Sequence, residues 1–406
     1  MSRIVLAYSG GLDTSVLLKQ LLIDGHEVVA MTVDLGESDA LAGAQATAAL
    51  EAVRRKALVL GAYDAVVIDA RERFVEQFAF PALRANAMYQ GVYPLSAALS
   101  RPLIAQLLVE TAGRYAATAI AHGCTGKGND QVRIEVSARA VDPSIACLAP
   151  LRERPLSRPD AIEFAREHGI SIAHTVDKPY SIDANVWGRS IEAGVLEDPW
   201  NAPPEDAYAW TAAPGERPTS PEDVTIDFER NEPSCDGRTG FALVAWLNAI
   251  AGKHGIGRID LVEDRVIGMK SREIYECPGA TVLLTVHRAL ERLVLTRDEL
   301  RFKAGCDQRY AELIYDGLWM HPLRVALNGF NAAGASRMSG RVRVRLYQGV
   351  ATVTGVASPH ALYDASLATY GEGDAFDHSA ATGFIALHGL PVVASARRAN
   401  GVPAAT

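Results

Sequence analysis

Residues 7–15 read Ala7-Tyr8-Ser9-Gly10-Gly11-Leu12-Asp13-Thr14-Ser15, and this stretch decides the fold. Ahead of it, Arg3 to Tyr8 carries Ile4, Val5, Leu6 and Ala7, apolar at every position as in a strand buried on both faces. Behind it, Val16, Leu17, Leu18, Leu21 and Leu22 recur at helical spacing. Strand, glycine turn and helix are therefore expected in succession. Gly10 and Gly11 let the main chain turn sharply and approach a ligand with no Cβ in the way, so free N–H groups at the helix start can face an anion. Ser9, Thr14 and Ser15 add hydroxyl donors. The plainer alternative is a Gly-Gly turn with Asp13 and Thr14 merely capping a helix.

The turn lacks the third glycine of the dinucleotide fingerprint and the Gly-Lys-Ser/Thr ending of a Walker loop. Its pattern, Ser-Gly-Gly-x-Asp-Ser/Thr, resembles the pyrophosphate loop of enzymes that split ATP between the α and β phosphates. That resemblance implies that Asp13 sits beside the pyrophosphate and its magnesium.

Working outward, the first part of the chain repeats strand then helix. A second strand is expected over Val28 to Val33 and a third over Ala65 to Ile68, with an alanine-rich helix over Ala40 to Leu60 between them. Ala119-Ile120-Ala121 is a later short strand running into His122-Gly123. This is the rhythm of a parallel α/β sheet, whose loops gather at one edge, so residues 9–15 and the loop from Gly123 converge on one crevice. Glu197 to Pro221 is proline-rich and reads as an extended crossing outside the core. Helix and strand then mix without the βαβ rhythm, including a helix at Phe241 to His254 and a hairpin near Arg341 to Thr354. A second, α+β domain is the natural reading, and no internal repeat is present.

The 406 residues exceed what one hydrophobic core usually supports. No charged segment leads into an apolar core and cleavage site at the N-terminus, and no run is long enough to span a bilayer, which points to the cytoplasm. The five cysteines are widely spaced with no Cys-x-x-Cys pair, and the ten histidines include no His-Glu-x-x-His, so neither a disulfide framework nor a metal centre is expected. Forty basic against 48 acidic residues, a net charge of −8, argue against a broad polyanion-binding surface and favour small substrates. The alternating run Arg341-Val342-Arg343-Val344-Arg345-Leu346 describes a strand with one apolar face and a solvated arginine face.

The second chemical cluster is His122-Gly123-Cys124-Thr125-Gly126-Lys127-Gly128-Asn129-Asp130-Gln131-Val132-Arg133. Thr125, Asn129 and Asp130 together suit the ammonium and carboxylate of an amino acid, and Arg133 supplies a fixed fork for a second carboxylate. The alternative is a glycine-rich turn capping the helix from Asn129.

The two clusters together resemble the argininosuccinate synthase family, and the resemblance extends over nearly the whole chain. Further blocks that look like that family are 178–183 (Lys-Pro-Tyr-Ser-Ile-Asp), 192–199, 268–276 and Tyr315-Asp316-Gly317-Leu318-Trp319. The resemblance implies an α/β nucleotide-binding domain over residues 1–170 with an adenine nucleotide α-hydrolase-like parallel sheet. It further implies an α+β synthetase domain over 171–360 and a C-terminal oligomerisation arm over 361–406 that helps build a homotetramer. The implied activity is ATP-dependent joining of citrulline to aspartate through citrullyl-AMP, with magnesium. ATP would lie on Ala7, Tyr8, Ser9, Gly10, Gly11, Leu12, Asp13, Thr14, Ser15, Val33 and Gly123. Asp13 would act in catalysis. Aspartate would meet Thr125, Asn129 and Asp130; citrulline would meet Tyr93, Asn129, Arg133, Ser181, Ser190, Glu263 and Tyr275. Arg101 is a further candidate for a substrate carboxylate. No general base for the aspartate amine stands out.

Two departures from the family pattern bear on affinity. Ser96-Ala97-Ala98 stands where Gly-Thr-Ser is common, removing a hydroxyl that Ser96 or Ser100 is placed to replace. Glu37 stands where glutamine is usual. Other readings are a tRNA-acting relative, which needs a basic groove; an adenine-nucleotide sensor, which has no use for Thr125, Asn129, Asp130 and Arg133 together; and a synthetase accepting a different ureido compound.

Overall fold

The computed structural model describes residues 2–36, 44–171, 180–371, 373 and 375–401. Its first sheet contains β1 (Arg3–Ala7), β2 (Glu27–Asp34), β3 (Asp64–Asp69), β4 (Ala119–Ala121) and β5 (Ala146–Leu148). All pair in parallel, in the order β3-β2-β1-β4-β5. Helices α1 (Leu12–Ile23), α2 (Ala44–Val59), α3 (Ser96–Arg114) and α4 (Asp130–Val141) intervene. The all-apolar reading of β1 is explained by burial on two sides. Ile4 and Leu6 join Val16, Leu17 and Leu21 of α1 in one core, whereas Val5 faces Leu99, Leu103 and Leu107 of α3 in another. Each such side chain is fully or almost fully buried, worth about 1.5–3 kcal/mol. The strand order reverses between β1 and β4, and a crevice opens beyond their carboxyl ends at that point. The first four residues expected in the helix from Ala40, together with Glu37, Lys178 and Pro179, lie outside the described residues.

The remainder mixes strands β6 (Ser181–Asn185), β7 (Gly188–Glu192), β8 (Glu222–Glu229) and β9 (Glu232–Ser234) with α5 (Gly240–Lys253). There follow β10 (Arg258–Asp264), β11 (Lys270–Glu276), α6 (Pro278–Val294), α7 (Arg297–Tyr315), β12 (Gly340–Tyr347) and β13 (Val350–Ala357). They form two antiparallel sheets, β10-β11-β7-β6 and β13-β12-β8-β9. The alternating arginine run is β12: Val342, Val344 and Leu346 are fully buried, while Arg341 and Arg345 pair with Asp227 and Asp223 of β8 at 3.0 and 2.8 Å.

The reading of 197–221 as lying outside the core is corrected. Glu276, at the end of β11 and fully buried, accepts hydrogen bonds from the main-chain N–H groups of Ala209, Trp210 and Thr211 at 3.0, 2.8 and 2.9 Å. It also accepts from Thr211 Oγ1 and pairs with Arg189 at 2.6 Å. One carboxylate thus ties this segment to the sheet, and Ala207 and Thr211 are buried with it.

The chain divides into two compact units, residues 1–360 and 361–406. In the second, helices His378–His388 and Leu390–Ala399 meet at a 46° bend and carry Phe384, Ile385, Leu387 and Val392. Among the described residues no single helix is long and apolar enough to cross a membrane.

Candidate active site

A cleft of about 1020 Å³ opens where β1, β2 and β4 end. One side of it is the turn after β1, expected from the sequence to face a phosphate. Gly10 adopts φ +76°, and a Cβ there would lie 3.0 Å from the Val53 methyls, so the position demands glycine on both counts. Gly11 is the N-cap of α1 and brings no side chain to cap it, so the first-turn N–H groups are left to the cleft. Ser9 Oγ and Thr14 Oγ1 bond each other at 3.1 Å. Lys56 of α2 donates to the Gly10 carbonyl at 2.7 Å, placing a cation against the loop; burial lowers its pKa. Thr32 Oγ1 anchors the strand end by donating to the Tyr8 carbonyl at 2.8 Å. Val33 and Gly123 line the same cleft, and Gly123 lies close enough that a Cβ there would touch Thr14.

Ser15 departs from expectation. It is fully buried, absent from the cleft wall, and its hydroxyl is shared between Tyr8 Oη at 3.1 Å and the Gly10 carbonyl at 3.4 Å. Asp13 is exposed in the first turn of α1 and lines the cleft. No group of three or more metal-ligating side chains occurs among the described residues. That donor set fits magnesium, which is ordinarily held by one or two carboxylates together with substrate phosphates.

The far side of the cleft is polar and charged. Arg133, on the first turns of α4, is 4 % exposed. Its Nε donates to the Tyr315 carbonyl at 3.0 Å and its Nη1 to Asp130 at 3.1 Å, while Nη2 is buried with no protein partner. A buried guanidinium nitrogen without an acceptor is costly unless a ligand supplies one. Asp130 is clasped from a second direction by Arg101, whose Nη2 lies 2.8 Å from both Asp130 and Asp183. Burial opposes the Asp130 charge, yet the two arginines hold its pKa well below the usual carboxylate range. Arg101 is thus spent on protein carboxylates, although it lines the cleft.

Glu263 is 1 % exposed and accepts from Tyr275 Oη at 2.8 Å and Tyr315 Oη at 2.7 Å. Asn129 donates to Tyr315 Oη at 3.0 Å and accepts from the Val266 N–H at 2.9 Å, fixing which way its amide points. Tyr93 stacks on Tyr275 with ring centroids 3.9 Å apart. Thr125 and Ser181 are exposed on the cleft wall, and Ser190 donates to the Asp183 carbonyl at 3.4 Å. Every site residue expected from the sequence except Ser15 therefore lines one cleft. The lost hydroxyl at Ala98 is not restored by its neighbours. Ala98, Ser96 and Ser100 are all buried off the cleft wall, with Ser96 Oγ against Tyr93 and Ser100 Oγ donating to the Ala97 carbonyl.

Sequence reasoning gave no site role to Lys56 and Arg265, nor to Asp183, Glu192, Glu273 and Tyr315, which stand in the family-like blocks; all six are on the cleft wall. A signal existed for Tyr315. Gly317 has φ +77°, and a Cβ there would come within 2.9 Å of Arg133 Cα; glycine is what lets the turn after α7 close on α4.

Family comparison agrees with this geometry at both ends of the chain. The arginosuccinate synthase N-terminal HUP domain model matches residues 3–171, and the arginosuccinate synthase C-terminal domain model matches residues 180–395. The chain belongs to the argininosuccinate synthase family. An argininosuccinate synthase from Bacillus pumilus is 52 % identical over 392 residues, covering 96 % of this chain and 95 % of that one. One from Gloeobacter violaceus is 52 % identical over 394 residues, covering 96 % and 97 %. A third, from Rubrobacter xylanophilus, is 52 % identical over 96 % of this chain and 94 % of its own. The HUP match covers the parallel sheet and both cleft-lining loops at its edge, 8–15 and 122–129.

Proposed function

We propose that this chain joins L-citrulline to L-aspartate with ATP, forming argininosuccinate, AMP and pyrophosphate, as its family does. The observation that carries the reading at the site is the meeting of an uncapped Gly-Gly helix start with the buried, unpartnered Arg133 Nη2 in one cleft. The ureido carbon of citrulline is a poor electrophile, so activation comes first. Its oxygen attacks the α-phosphorus of ATP, pyrophosphate leaves, and citrullyl-AMP forms. The aspartate amine then attacks the ureido carbon, AMP departs with the C–O electron pair, and the amine loses a proton. The α1 amides and Lys56 bind the departing pyrophosphate, and Asp13 with the phosphates is the seat for magnesium, which neutralises phosphate charge when bound. Arg133 and Glu263 take the carboxylate and ammonium of citrulline, and Thr125, Asn129 and Asp130 take aspartate. Catalysis on this reading is mainly positioning of two amino acids and ATP.

A homotetramer built through residues 361–406 belongs to the same proposal, supported by the exposed apolar side chains of the two terminal helices, as does a cytoplasmic location, supported by the family's small-molecule substrates. Pyrophosphate release from purified protein with ATP and magnesium tests the activity. Release that needs both amino acids, with argininosuccinate formed, is the expected result; release independent of either amino acid points instead to a different substrate.

A further inference from the structure

The end of the cleft built by β7, β10 and β11 carries more negative charge than its own arginines balance. Glu192, Glu263 and Glu273 all line it. Arg265, in the turn after β10, is the nearest cation, but it is committed to Glu192 at 2.6 Å, Ser271 Oγ at 2.8 Å and the Lys127 carbonyl at 3.1 Å. It reaches Glu273 only at 3.4 Å. Arg133, on α4, is paired with Asp130. Between Glu263 and Glu273 lies a single donor: Tyr275 Oη is 2.8 Å from one carboxyl and 3.0 Å from the other. One hydroxyl proton serves one acceptor well, so the pair lacks a cation or a further proton. Tyr315, on α7, donates to Glu263 alone. The empty Nη2 of Arg133 in the same cleft is the matching half of the arrangement, a seat for a carboxylate near a seat for an ammonium.

We propose that Glu263 and Glu273 form a two-carboxylate seat for the α-ammonium of the ureido amino acid, holding one proton while the seat is empty and releasing it to solvent when the substrate binds. This rests on the activity proposed above. The balance is simple: a carboxyl O–H breaks and its proton goes to water, while the ammonium keeps its three N–H bonds and donates to both carboxylates. Glu273 is then a specificity-determining residue, because an amino acid with an acylated, neutral α-nitrogen cannot replace the lost proton. Burial, reinforced by the neighbouring Glu263 and Glu192, pushes the pKa of Glu273 up to about 8, so the empty pair is protonated near neutrality.

The test is isothermal titration of citrulline into full-length protein saturated with α,β-methylene-ATP, at pH 7, in PIPES and in imidazole. The two buffers differ in ionisation heat, so their difference counts protons. Release close to one proton per site is expected for the wild type, with citrulline bound more weakly and no proton released in Glu273→Gln. Wild-type protein that binds citrulline without releasing a proton overturns this inference and leaves the activity standing, as does release that persists in Glu273→Gln. Wild-type protein that binds no citrulline overturns both. Should Glu273→Gln not fold, wild-type affinity decides: about tenfold tighter binding per pH unit between pH 6 and 7 supports the seat, and a flat profile refutes it.

Discussion

Tyr315→Phe isolates one hydroxyl at the centre of the site. The ring is held by stacking on Tyr89, centroids 3.5 Å apart, and by the Arg133 guanidinium 4.8 Å from its centre, and phenylalanine keeps both. What is lost is the donor to Glu263 and the acceptor for Asn129. A hydrogen bond to a charged acceptor is worth about 1.5–3 kcal/mol net, and Glu263 is too buried for water to replace it freely. If Glu263 orients the citrulline ammonium, about 1.4–2.7 kcal/mol of that appears in substrate binding, a rise of about 10- to 100-fold in the citrulline KM. The lost contact is remote from the ureido carbon, so kcat falls much less than KM rises. Steady-state kinetics with citrulline varied at saturating ATP and aspartate measure it. Tyr89→Phe is the comparison: its hydroxyl donates to the Asp264 carbonyl and not to the Glu263 carboxylate, and the citrulline KM rises less than in Tyr315→Phe. A Tyr315→Phe enzyme with an unchanged citrulline KM would refute the placement of that ammonium at Glu263.

Gly10→Ala places a Cβ on a left-handed backbone against Val53, costing about 1–2 kcal/mol; the ATP KM is expected to rise about 5- to 30-fold, with the citrulline KM unchanged. Glu276→Gln leaves Arg189 buried without its counter-charge and turns an amide N–H toward donors at 209–211. Unfolding stability by urea titration is expected to fall by about 3 kcal/mol, and a loss below about 1 kcal/mol contradicts the anchoring role. Glu273 has a raised folded-state pKa, so the folded protein keeps a proton that the unfolded chain gives up from near pH 4.5 upward. The contribution of Glu273 to the stability of the substrate-free protein therefore falls as pH rises from about 4.5 toward 8 and levels beyond it, by up to about 5 kcal/mol, against an opposite contribution below pH 6.5 from His287, whose pKa burial lowers to about 4. Urea titration of wild type and Glu273→Gln side by side isolates that contribution; a stability difference between the two that does not change from pH 5 to 8 contradicts it.

The parts of the fold legible in the sequence are those where one physical rule dominates. The apolar run of residues 4–7, too short for a helix and followed at once by glycines, reads as a strand covered on both faces, and the arginine–valine alternation of β12 reads as a one-sided strand. The segment 197–221 misled because its prolines and exposed Trp200 speak of a loop, while the group that holds it, Glu276, lies far along the chain on another strand. Composition carries no trace of a single distant carboxylate accepting three consecutive amides. The same distance explains the site residues that were missed. Asn129 and Arg133 announce themselves beside glycines in a loop after a strand, but Tyr315 and Glu273 look like ordinary helix-end and strand residues until β11 and α7 are brought against α4.

Charge along the cleft connects the fold to the chemistry proposed for it. At the β1 edge free helix amides and Lys56 offer donors to an anion, beside Asp13 and Asp34; at the β10–β11 end Glu192, Glu263 and Glu273 bring three carboxyl groups against the single cation Arg265, with one proton held between the last two. Arg133 and Arg101 stand between, neutralising Asp130 and leaving Nη2 of Arg133 open. On the proposed reading a triphosphate and an amino acid that share this cleft are sorted by charge before any specific contact forms: phosphates to one end, ammonium to the other. An uncharged ureido group has no preferred pole, so the same reading leaves it between the two ends, toward the α-phosphorus of a nucleotide whose pyrophosphate sits on the Gly-Gly turn. The parallel sheet alone supplies the donor end. The antiparallel β10-β11-β7-β6 sheet supplies the carboxyl-rich one, so on the proposed reading a nucleotide loop of this kind needs the second half of the chain before it can select a ureido amino acid.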